Sequence, residues 1–408
     1  MRWPRAKVES IKAEGRYSLV GGPFGSELTT RDYVEEGVPV IRGANLSGDG
    51  FFKDADFVFV REEKADQLIA NNAYPGDVVF TQRGTLGQVG VIPAEPHYPR
   101  YLISQSQMKL SVDPQKADAR FVFYFFRHPD TVQTVKNHAL SSGVPHINLG
   151  ILRDFELPLP PLHAQRQVVA MLSPYDHLIE NNQRRMALLE EAARLLYREW
   201  FVRLRFPGHE HTRVVDGVPE GWERRLLGDI CADIREAVSP DDLEPDTPYI
   251  GLEHMPRRSI ALTEWGRAEA VASAKHRYMT GDILFGKIRP YFHKVGIAFT
   301  GGVASSDAIV IRPNAEELRS LVLTTVSSDE FVAEASQTMR EGSKMPRADW
   351  KLMTKYRVLL PPPGLLDSFS ATVSTITDQL RTLCFQNHKL KAARDLLLPR
   401  LMSGEIAV

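Results

Sequence analysis

The chain has 408 residues, of which 43% are hydrophobic and 25% charged, and its formal net charge is −1. The length allows two or three domains. No apolar run reaches the ~18–20 residues of a membrane span, and no apolar stretch follows Met1–Arg5, so we expect a cytoplasmic protein without a signal peptide. Cys231 and Cys384 lie far apart and indicate neither a disulfide framework nor a zinc site. A neutral chain that binds nucleic acid needs a local basic patch.

The first half predicts a mixed unit of strands and helices. Gly76–Phe80 is an apolar, β-branched run that begins at a glycine and predicts a strand, with a second strand ending near Val89–Gly90. The run Ala119–Arg127 predicts a helix, and its aromatic residues at Tyr124–Phe126 favour a core position over a base-stacking surface. We therefore expect an α+β unit with a small, irregular sheet.

A long heptad-patterned helix follows the Leu159-Pro160-Pro161 block. Its apolar positions are spaced alternately by four and three, which is the period of a coiled-coil seam. The seam residues are Val168, Leu172, Tyr175, Ile179, Asn182, Met186, Leu189, Ala193, Leu196 and Trp200. Pro174 lies inside this pattern, so the helix either kinks there or restarts with Ser173 as its N-cap.

After a Pro/Gly-rich linker at Arg205–Gly221, the chain repeats itself. Trp222 repeats Trp3 at an offset of 219, and Leu360-Pro361-Pro362 repeats the first proline block at an offset of 201. The first unit is thus 18 residues longer than the second. Gly281–Phe285 predicts the equivalent strand. The second seam reads Val373, Ile376, Leu380, Leu383, Asn387, Leu390, Arg394, Leu397 and Leu401, where Arg394 is less suitable than its counterpart Ala193.

Each seam alone would expose a long apolar stripe, so we expect the two helices to pair. A pseudo-twofold repeat makes the pair antiparallel, and ~35–40 residues form a helix of about 55–60 Å. Such a pair would hold two globular units at a fixed spacing. The helix-pairing residues are predicted to be Ile179, Asn182, Met186, Leu189, Leu196, Ile376, Leu380, Leu383, Asn387, Leu390 and Leu397.

The predicted organisation has five segments. These are two globular domains at 1–158 and 223–360, helical spacers at 159–203 and 361–408, and a linker at 204–222. Because DNA strands are antiparallel, two inverted units of different sequence suit two different half-sites.

Polar loops around the repeated strand pair supply the candidate DNA contacts. Arg and Lys suit guanine and phosphate, Gln suits adenine, and glycine lets the backbone approach closely. Ser273–Lys294 has five Lys/Arg residues against one acid. The candidates are Gln82, Arg83, Thr85, Gln88, Ser104, Gln105, Gln107, His146, Lys287, Arg289, Tyr291, His293, Lys294, Ser305, Ser306, Lys344 and Arg347. Solvated loops without ligand are the alternative for any single residue.

Motifs for catalysis do not stand out in the sequence. We find no Asn-Pro-Pro-aromatic motif, no glycine-rich methyl-donor loop and no P-loop lysine. His209-Glu210-His211 lies in the linker without further ligand residues, so we expect neither a metal site nor a catalytic residue.

The chain closely resembles the specificity (S) subunit of type I restriction–modification systems. The resemblance rests on Leu157–Val168 at the head of the central helix, on Leu396–Ile406 at the C-terminus, and on Gly22–Ser26, Gly37–Gly43 and Pro219–Trp222. It extends over nearly the whole length. The departures are Pro174 and the weaker second spacer at Pro361–Asp367.

The resemblance implies two target-recognition domains that alternate with two helical spacers, in a non-catalytic subunit of bacteria or archaea. Such a subunit binds a bipartite, asymmetric double-stranded DNA site. It holds two methyltransferase (M) subunits and, in the full assembly, two restriction/translocase (R) subunits. S-adenosylmethionine, ATP and Mg²⁺ belong to those partners. A duplicated coiled-coil adaptor that binds only proteins remains the alternative.

Overall fold

The computed structural model describes residues 3–46, 50–139, 144–339 and 345–406. The chain folds as two compact units. Unit 1 comprises Met1–Asn181 and Asn387–Val408, and unit 2 comprises Asn182–Gln386. Among the described residues, no helix is both long and apolar enough to cross a membrane.

Unit 1 contains two small sheets and a two-stranded ribbon. Its strands are β1 (Arg5–Lys7), β2 (Leu19–Gly21), β3 (Tyr33–Val34), β4 (Val38–Ile41), β5 (Val58–Val60), β6 (Asn72–Ala73), β7 (Val78–Thr81), β8 (Val89–Val91), β9 (Tyr101–Ile103), β10 (Gln107–Leu110) and β11 (Glu156–Pro158). The sheets have the orders β2-β10-β7-β8 and β3-β5-β4-β9-β6, and β1 pairs with β11. The predicted first strand is confirmed as β7, but β8 begins at Val89, where the sequence placed a strand end.

Short helices cover these sheets. They are α1 (Gly43–Leu46), α2 (Glu62–Gln67), α3 (Ala119–Arg127), α4 (Pro129–Asn137) and α5 (Leu149–Asp154). The predicted helix α3 begins where Asp118 accepts hydrogen bonds from the backbone amides of Arg120 and Phe121. Its residues Phe121–Phe126 are all buried, so the aromatic run belongs to the core, as the sequence indicated.

The central helix α6 (Leu162–Tyr197) continues through Pro174 and is followed by one π-helical turn at Arg198–Val202. A restart at Ser173 is therefore excluded. A proline inside a helix lacks the amide that would bond to the carbonyl four residues earlier. Packing offsets part of that loss, because Leu172 and Ser173, which precede the proline, are buried and Leu172 belongs to the hydrophobic core of unit 1.

Unit 2 has more strands than unit 1. They are β12 (Val214–Val215), β13 (Val218–Pro219), β14 (Glu223–Leu226), β15 (Cys231–Asp233), β16 (Ala237–Val238), β17 (Pro248–Ile250), β18 (Ala261–Leu262), β19 (Gly266–Arg267), β20 (Lys275–Tyr278), β21 (Ile283–Gly286), β22 (Val295–Ala298), β23 (Gly302–Ala304), β24 (Ala308–Pro313) and β25 (Arg357–Leu360). Its helices are α7 (Leu227–Ile230), α8 (Arg319–Val326), α9 (Asp329–Gln337) and α10 (Trp350–Met353). The helix α11 (Pro363–Met402) begins in unit 2, and its residues from Asn387 onward belong to unit 1. The predicted linker contains the β12–β13 hairpin.

The duplication is visible in strand register. Phe80 of β7 pairs with Met108 of β10, and at the equivalent positions Phe285 of β21 pairs with Ile309 of β24. In both units a parallel pair, β4–β9 or β17–β23, lies inside the second sheet. The units differ at the sheet edges. Unit 1 has β3 beside β5, whereas unit 2 has β16 beside β20 and β18 beside β22.

Helix pairing occurs inside each unit. In unit 1, Leu172 in the first part of α6 and Leu398 in the last part of α11 belong to one core. In unit 2, Trp200 and Phe201 in the last part of α6 pack on Phe369 in the first part of α11, with ring centroids 5.6 and 4.8 Å apart. Opposite ends of the helices thus meet in each unit, as an antiparallel pair requires.

Most of the predicted helix-pairing residues are buried. Those buried are Ile179, Asn182, Met186, Ile376, Leu380, Leu383 and Asn387. Those half-buried are Leu189, Leu196, Leu390 and Leu397. Arg394, which looked unsuitable for the seam, is only 4% exposed.

Candidate nucleic-acid interface

Three predicted polar loops come together at one edge of unit 1. The backbone amide of Gln82, just after β7, donates to the carbonyl of Ser106 at 2.7 Å. The amide of Ile147 donates to the carbonyl of Gln82 at 3.0 Å, and Arg83 forms an isolated β-bridge with His146. We call the loops 82–88, 104–107 and 144–147 the polar edge of unit 1.

Unit 2 has the same three contacts at equivalent positions. The amide of Lys287 donates to the carbonyl of Asp307 at 2.9 Å, and the amide of Ala348 donates to the carbonyl of Lys287 at 2.8 Å. Ile288 forms the isolated bridge with Arg347. The loops 287–294, 305–307 and 345–348 form the polar edge of unit 2. The backbone pairing makes Lys287 equivalent to Gln82, and Arg347 equivalent to His146.

The equivalent positions carry different chemistry. Unit 1 has Gln82, Gly84 and His146 where unit 2 has Lys287, Arg289 and Arg347. The reverse holds at one position, where unit 1 has Arg83 and unit 2 has Ile288. The same backbone frame therefore presents mainly neutral hydrogen-bonding groups in unit 1 and mainly cations in unit 2.

Not every candidate side chain of unit 1 faces solvent. Arg83, Thr85 and Gln105 are exposed. Gln82, Gln88, Ser104 and His146 are half-buried. Gln107 is only 1% exposed, and its side-chain oxygen accepts a hydrogen bond from the hydroxyl of Ser104. Gln107 therefore supports the edge from beneath.

Intramolecular hydrogen bonds also occupy two other glutamines. Nε2 of Gln105 donates to the backbone carbonyls of Gly25 and Leu28, the latter at 2.6 Å. Oε1 of Gln88 accepts from Oγ1 of Thr81 at 3.2 Å. These contacts fix the loops, so they leave Gln82, Arg83, Thr85 and His146 as the candidates best placed to meet a ligand.

In unit 2 the candidates divide in the same way. Arg289, Tyr291, Ser306 and Arg347 are exposed. Lys287, Lys294 and Ser305 are half-buried. Lys344 lies outside the described residues, as do 141–143 and 342–343 of the predicted third loops.

His293 points into the protein. It is 7% exposed, and its Nε2 lies 2.8 Å from the carbonyl oxygen of Ser327. Burial lowers its pKa, which favours the neutral ring, although the bond to Ser327 opposes this shift. Lys294 donates to the carbonyl of Leu252, and burial lowers its pKa as well. Both side chains hold the loop in place from within.

The loop between β21 and β22 has an unusual backbone. Arg289 and His293 both have left-handed conformations, with φ of 49° and 53°. Such conformations cost non-glycine residues roughly 1–2 kcal/mol each. The bonds from the Arg289 amide to the Pro346 carbonyl and from His293 to Ser327 hold them in place. The result is a tight turn at Pro290–Phe292 with Tyr291 52% exposed. Backbone strain of this kind is concentrated at functional sites.

Two features were missed by sequence reasoning. Phe24, in the Gly22–Ser26 motif, is 85% exposed, and the motif packs directly behind Ser104 because a Cβ on Gly22 would lie 2.1 Å from its carbonyl oxygen. In unit 2, an open cavity of about 720 Å³ adjoins the polar edge and includes Arg235 and Lys351. The Gly-Pro-Phe-Gly-Ser string was a visible signal for the first feature. The second has none, because its residues are distant in sequence.

A cluster of metal-ligand residues is not seen in the part of the chain that the structure describes. Within it, no three His, Cys, Asp or Glu residues are grouped so that they could hold a metal ion.

Comparisons with known proteins show which chains are similar to this one. Residues 29–191 match the family model described as type I restriction modification DNA specificity domain. The chain is 22% identical over 360 residues to the type I restriction enzyme MjaIX specificity subunit of Methanocaldococcus jannaschii, covering 85% of this chain and 81% of that protein. It is 22% identical over 281 residues to the EcoDI specificity subunit of Escherichia coli, covering 62% of this chain and 61% of the relative.

A solved structure shows the same fold. The type I restriction–modification S subunit from M. genitalium superimposes with a TM-score of 0.57 at 15% identity, over 98% of this chain and 96% of that one. Over residues 29–191 the chain thus matches the type I restriction modification DNA specificity domain, and over most of its length it is similar to specificity subunits of type I restriction enzymes.

Proposed function

We propose that this chain is the DNA sequence-recognition subunit of a type I restriction–modification complex, with one half of a bipartite site read by each polar edge. One observation carries the proposal. The two edges share their backbone hydrogen bonds, as in Gln82–Ser106 and Lys287–Asp307, but differ in the side chains that they present. A shared frame with different side chains suits two half-sites of different sequence, because base edges are discriminated by donor and acceptor pattern.

The exposed groups have the chemistry for this task. Arg289 and Arg347 can each donate two hydrogen bonds to a guanine or to a phosphate, whereas the Gln82 amide both donates and accepts, as adenine requires. The three loops of each polar edge lie side by side, so several such side chains share one surface. The asymmetry of the proposed DNA site follows from the asymmetry of these side chains.

The proposal assigns the chemical steps to partner subunits. The relatives are named specificity subunits, and we propose that this chain likewise contributes sequence recognition while two M subunits methylate and two R subunits translocate and cut. S-adenosylmethionine, ATP and Mg²⁺ would then be bound by those partners. The domain boundaries 1–158 and 223–360 are proposed as the target-recognition domains, with the helical spacers as the docking region for M subunits.

Single-molecule methylation sequencing of the host genome tests the proposal. A strain with the gene should carry methyladenine in both halves of one bipartite motif, and deletion of the gene should remove that motif. A continuous motif, or a bipartite motif that persists after deletion, would overturn the assignment.

Salt-dependent binding separates this function from a protein-only adaptor. The purified complex of this chain with its M subunit should bind the mapped motif with an affinity that falls steeply as salt rises, because bound cations are released from DNA. A complex without measurable binding to motif DNA would favour the adaptor.

A further inference from the structure

The cavity beside the polar edge of unit 2 has a basic wall assembled from four parts of the chain. Arg235 follows β15, Lys287 follows β21, Arg347 precedes α10, and Lys351 lies in its first turn. Two carboxylates, Asp233 and Asp349, also line the cavity, so cations outnumber anions by four to two. The volume, about 720 Å³, is open to solvent on one side.

Two arginines of this wall each bond to a carboxylate and still have further N–H donors. Nε of Arg235 bonds to Asp233 at 2.6 Å, and Nη2 of Arg347 bonds to Asp307 at 3.1 Å. An arginine has five N–H donors, so each retains donors for a ligand. Lys287 donates one of its three protons to the carbonyl of Ser306.

The cavity and the polar edge of unit 2 form one continuous surface. Lys287, Ser306 and Arg347 belong to both. A duplex whose bases meet the edge must therefore place a neighbouring stretch of backbone over the cavity. Clustered Lys and Arg side chains are typical phosphate ligands at such positions.

Unit 1 lacks most of this wall. At the positions equivalent to Lys287, Arg347 and Lys351 it has Gln82, His146 and Gly150. Arg235 corresponds to Gly21, because β15 pairs with β24 in the same register in which β2 pairs with β10. The replacement of Lys351 by Gly150 occurs at equivalent sites, because Asp349 caps α10 as Asn148 caps α5.

We propose that the cavity of unit 2 binds the phosphodiester backbone beside the second half-site, through Arg235, Lys287, Arg347 and Lys351. This proposal rests on the proposed function, and it means that the two units contribute unequally to DNA affinity. The cations beside the edge of unit 2 supply most of the salt-dependent affinity. The equivalent positions of unit 1 supply little of it, although unit 1 still discriminates its own half-site.

The test measures the slope of log affinity against log salt concentration for the complex of full-length chain and M subunit. The probe is a fluorescein-labelled 30-bp duplex that carries the mapped motif, titrated by anisotropy between 50 and 200 mM KCl. Arg235→Ala and Lys351→Ala should each reduce the steepness of the slope by about 0.9, the value for one lost phosphate contact. Between 50 and 200 mM KCl, the factor by which affinity falls should therefore be about threefold smaller for each variant than for the wild type.

Arg16→Ala is the control, because Arg16 is an exposed arginine of unit 1 that precedes β2 and has no counterpart in the basic wall. It should leave the slope unchanged. The three substituted side chains are exposed, so folding should persist, and unchanged circular dichroism would verify this. Lys351→Glu should lower the affinity further than Lys351→Ala.

Each outcome has a distinct meaning. Reduced slopes for Arg235→Ala and Lys351→Ala, with the methylation motif unchanged, support the proposal. Unchanged slopes with intact motif binding overturn it but leave the recognition function standing, as does an equal effect of Arg16→Ala. A changed motif in Lys351→Ala would overturn the phosphate assignment in favour of a base contact. Failure of the wild-type complex to bind the motif would reject the recognition function itself.

Discussion

Asp176 of α6 and Arg394 of α11 form a buried ion pair inside unit 1. Oδ1 of Asp176 accepts a hydrogen bond from Nη1 of Arg394 at 2.5 Å, and Oδ2 accepts from the hydroxyl of Tyr124 at 2.5 Å. Asp176 is 0% exposed and Arg394 4%. Burial by itself lowers the pKa of Arg394, but the Asp176 carboxylate, together with Asp395, more than reverses that effect and raises the pKa. The guanidinium thus stays charged in the core.

The pair breaks the internal symmetry of the helices. At the 201-residue offset, Asp176 corresponds to Thr377 and Arg394 to Ala193, and neither of these can form an ion pair. The residue that looked unsuitable for a coiled-coil seam is therefore accommodated by an aspartate on the facing helix. A polar pair in an apolar seam specifies which segments fit together, at some cost in stability.

We predict that Asp176→Ala strongly destabilises unit 1. The substitution removes the buried one of two carboxylates that pair with the Arg394 guanidinium, since Asp395 is 58% exposed. Breaking a buried ion pair typically costs about 3–5 kcal/mol. Hydrogen exchange of the α3 amides at 121–126 should report this as a lower free energy of opening. Asp154→Ala removes an exposed partner of Lys7 and should leave the same amides unaffected.

The double variant Asp176→Leu/Arg394→Met separates charge burial from packing. It should be more stable than Asp176→Ala, because no charge is left unpaired in the core. Equal destabilisation by both variants would show that the ion pair is not the source of the effect.

Phe369→Ala should destabilise unit 2 by about 3–5 kcal/mol, the usual range for truncation of a buried phenylalanine. Phe369 is 0% exposed and touches both Trp200 and Phe201. Four of the five tryptophans, including Trp200, lie in unit 2, so urea unfolding followed by tryptophan fluorescence measures this unit. Leu188→Ala, on the solvent side of α6 at 71% exposure, is the control and should change the midpoint little. Similar midpoints for both variants would argue against helix pairing as a source of stability.

Lys287→Ala and Arg289→Ala should each weaken binding to motif DNA. A well-formed contact to a base is worth about 1–3 kcal/mol, so the double variant should lose several kcal/mol. Anisotropy with the mapped duplex measures the loss. Arg225→Ala removes an exposed arginine of β14 that pairs with Glu223, and should have little effect. Wild-type affinity in the correctly folded double variant would remove these two residues from the interface.

Glu190→Gln should stabilise unit 2 increasingly as pH rises from 4.5 to 7. Burial raises the pKa of Glu190 above its ordinary 4.5, although its Oε1 accepts hydrogen bonds from Ser259 Oγ at 2.6 Å and the Ala261 amide at 2.9 Å. A carboxyl with a raised folded-state pKa contributes full stability below its unfolded pKa and loses it as pH rises through the folded value. Glutamine keeps the acceptor oxygen without the charge.

The measurement is the difference in unfolding free energy between Glu190→Gln and the wild type, from urea unfolding at several pH values. Titrating groups far from Glu190 cancel in this difference, and the comparison is repeated in a His293→Gln background because His293 lines the same cavity as Glu190. Glu244→Gln, at an exposed site, is the control for the removal of one carboxylate. A constant difference for Glu190→Gln would show that burial does not perturb this carboxyl.

The repeat, the long helices and the aromatic core helix α3 could be predicted because their signals are local and periodic. Apolar residues spaced by three and four define a helix face whatever lies opposite. The predicted run Ala119–Arg127 has the bounds of α3. The second strand was placed too early, with its end near Val89–Gly90 where β8 only begins, because strand bounds depend on pairing partners, which a single segment does not reveal.

A duplicated α+β chain with one seam and three polar loops in each half follows from local patterns in the sequence. The availability of the loop residues depends on the folded chain, since Gln107 and His293 face inward and Arg289 is held in a strained turn. The fold also places Arg394 in the core and brings Arg235 and Lys351 to one cavity with Lys287. Burial, charge pairing and cavity shape depend on residues far apart in the chain, whereas periodicity depends only on neighbours.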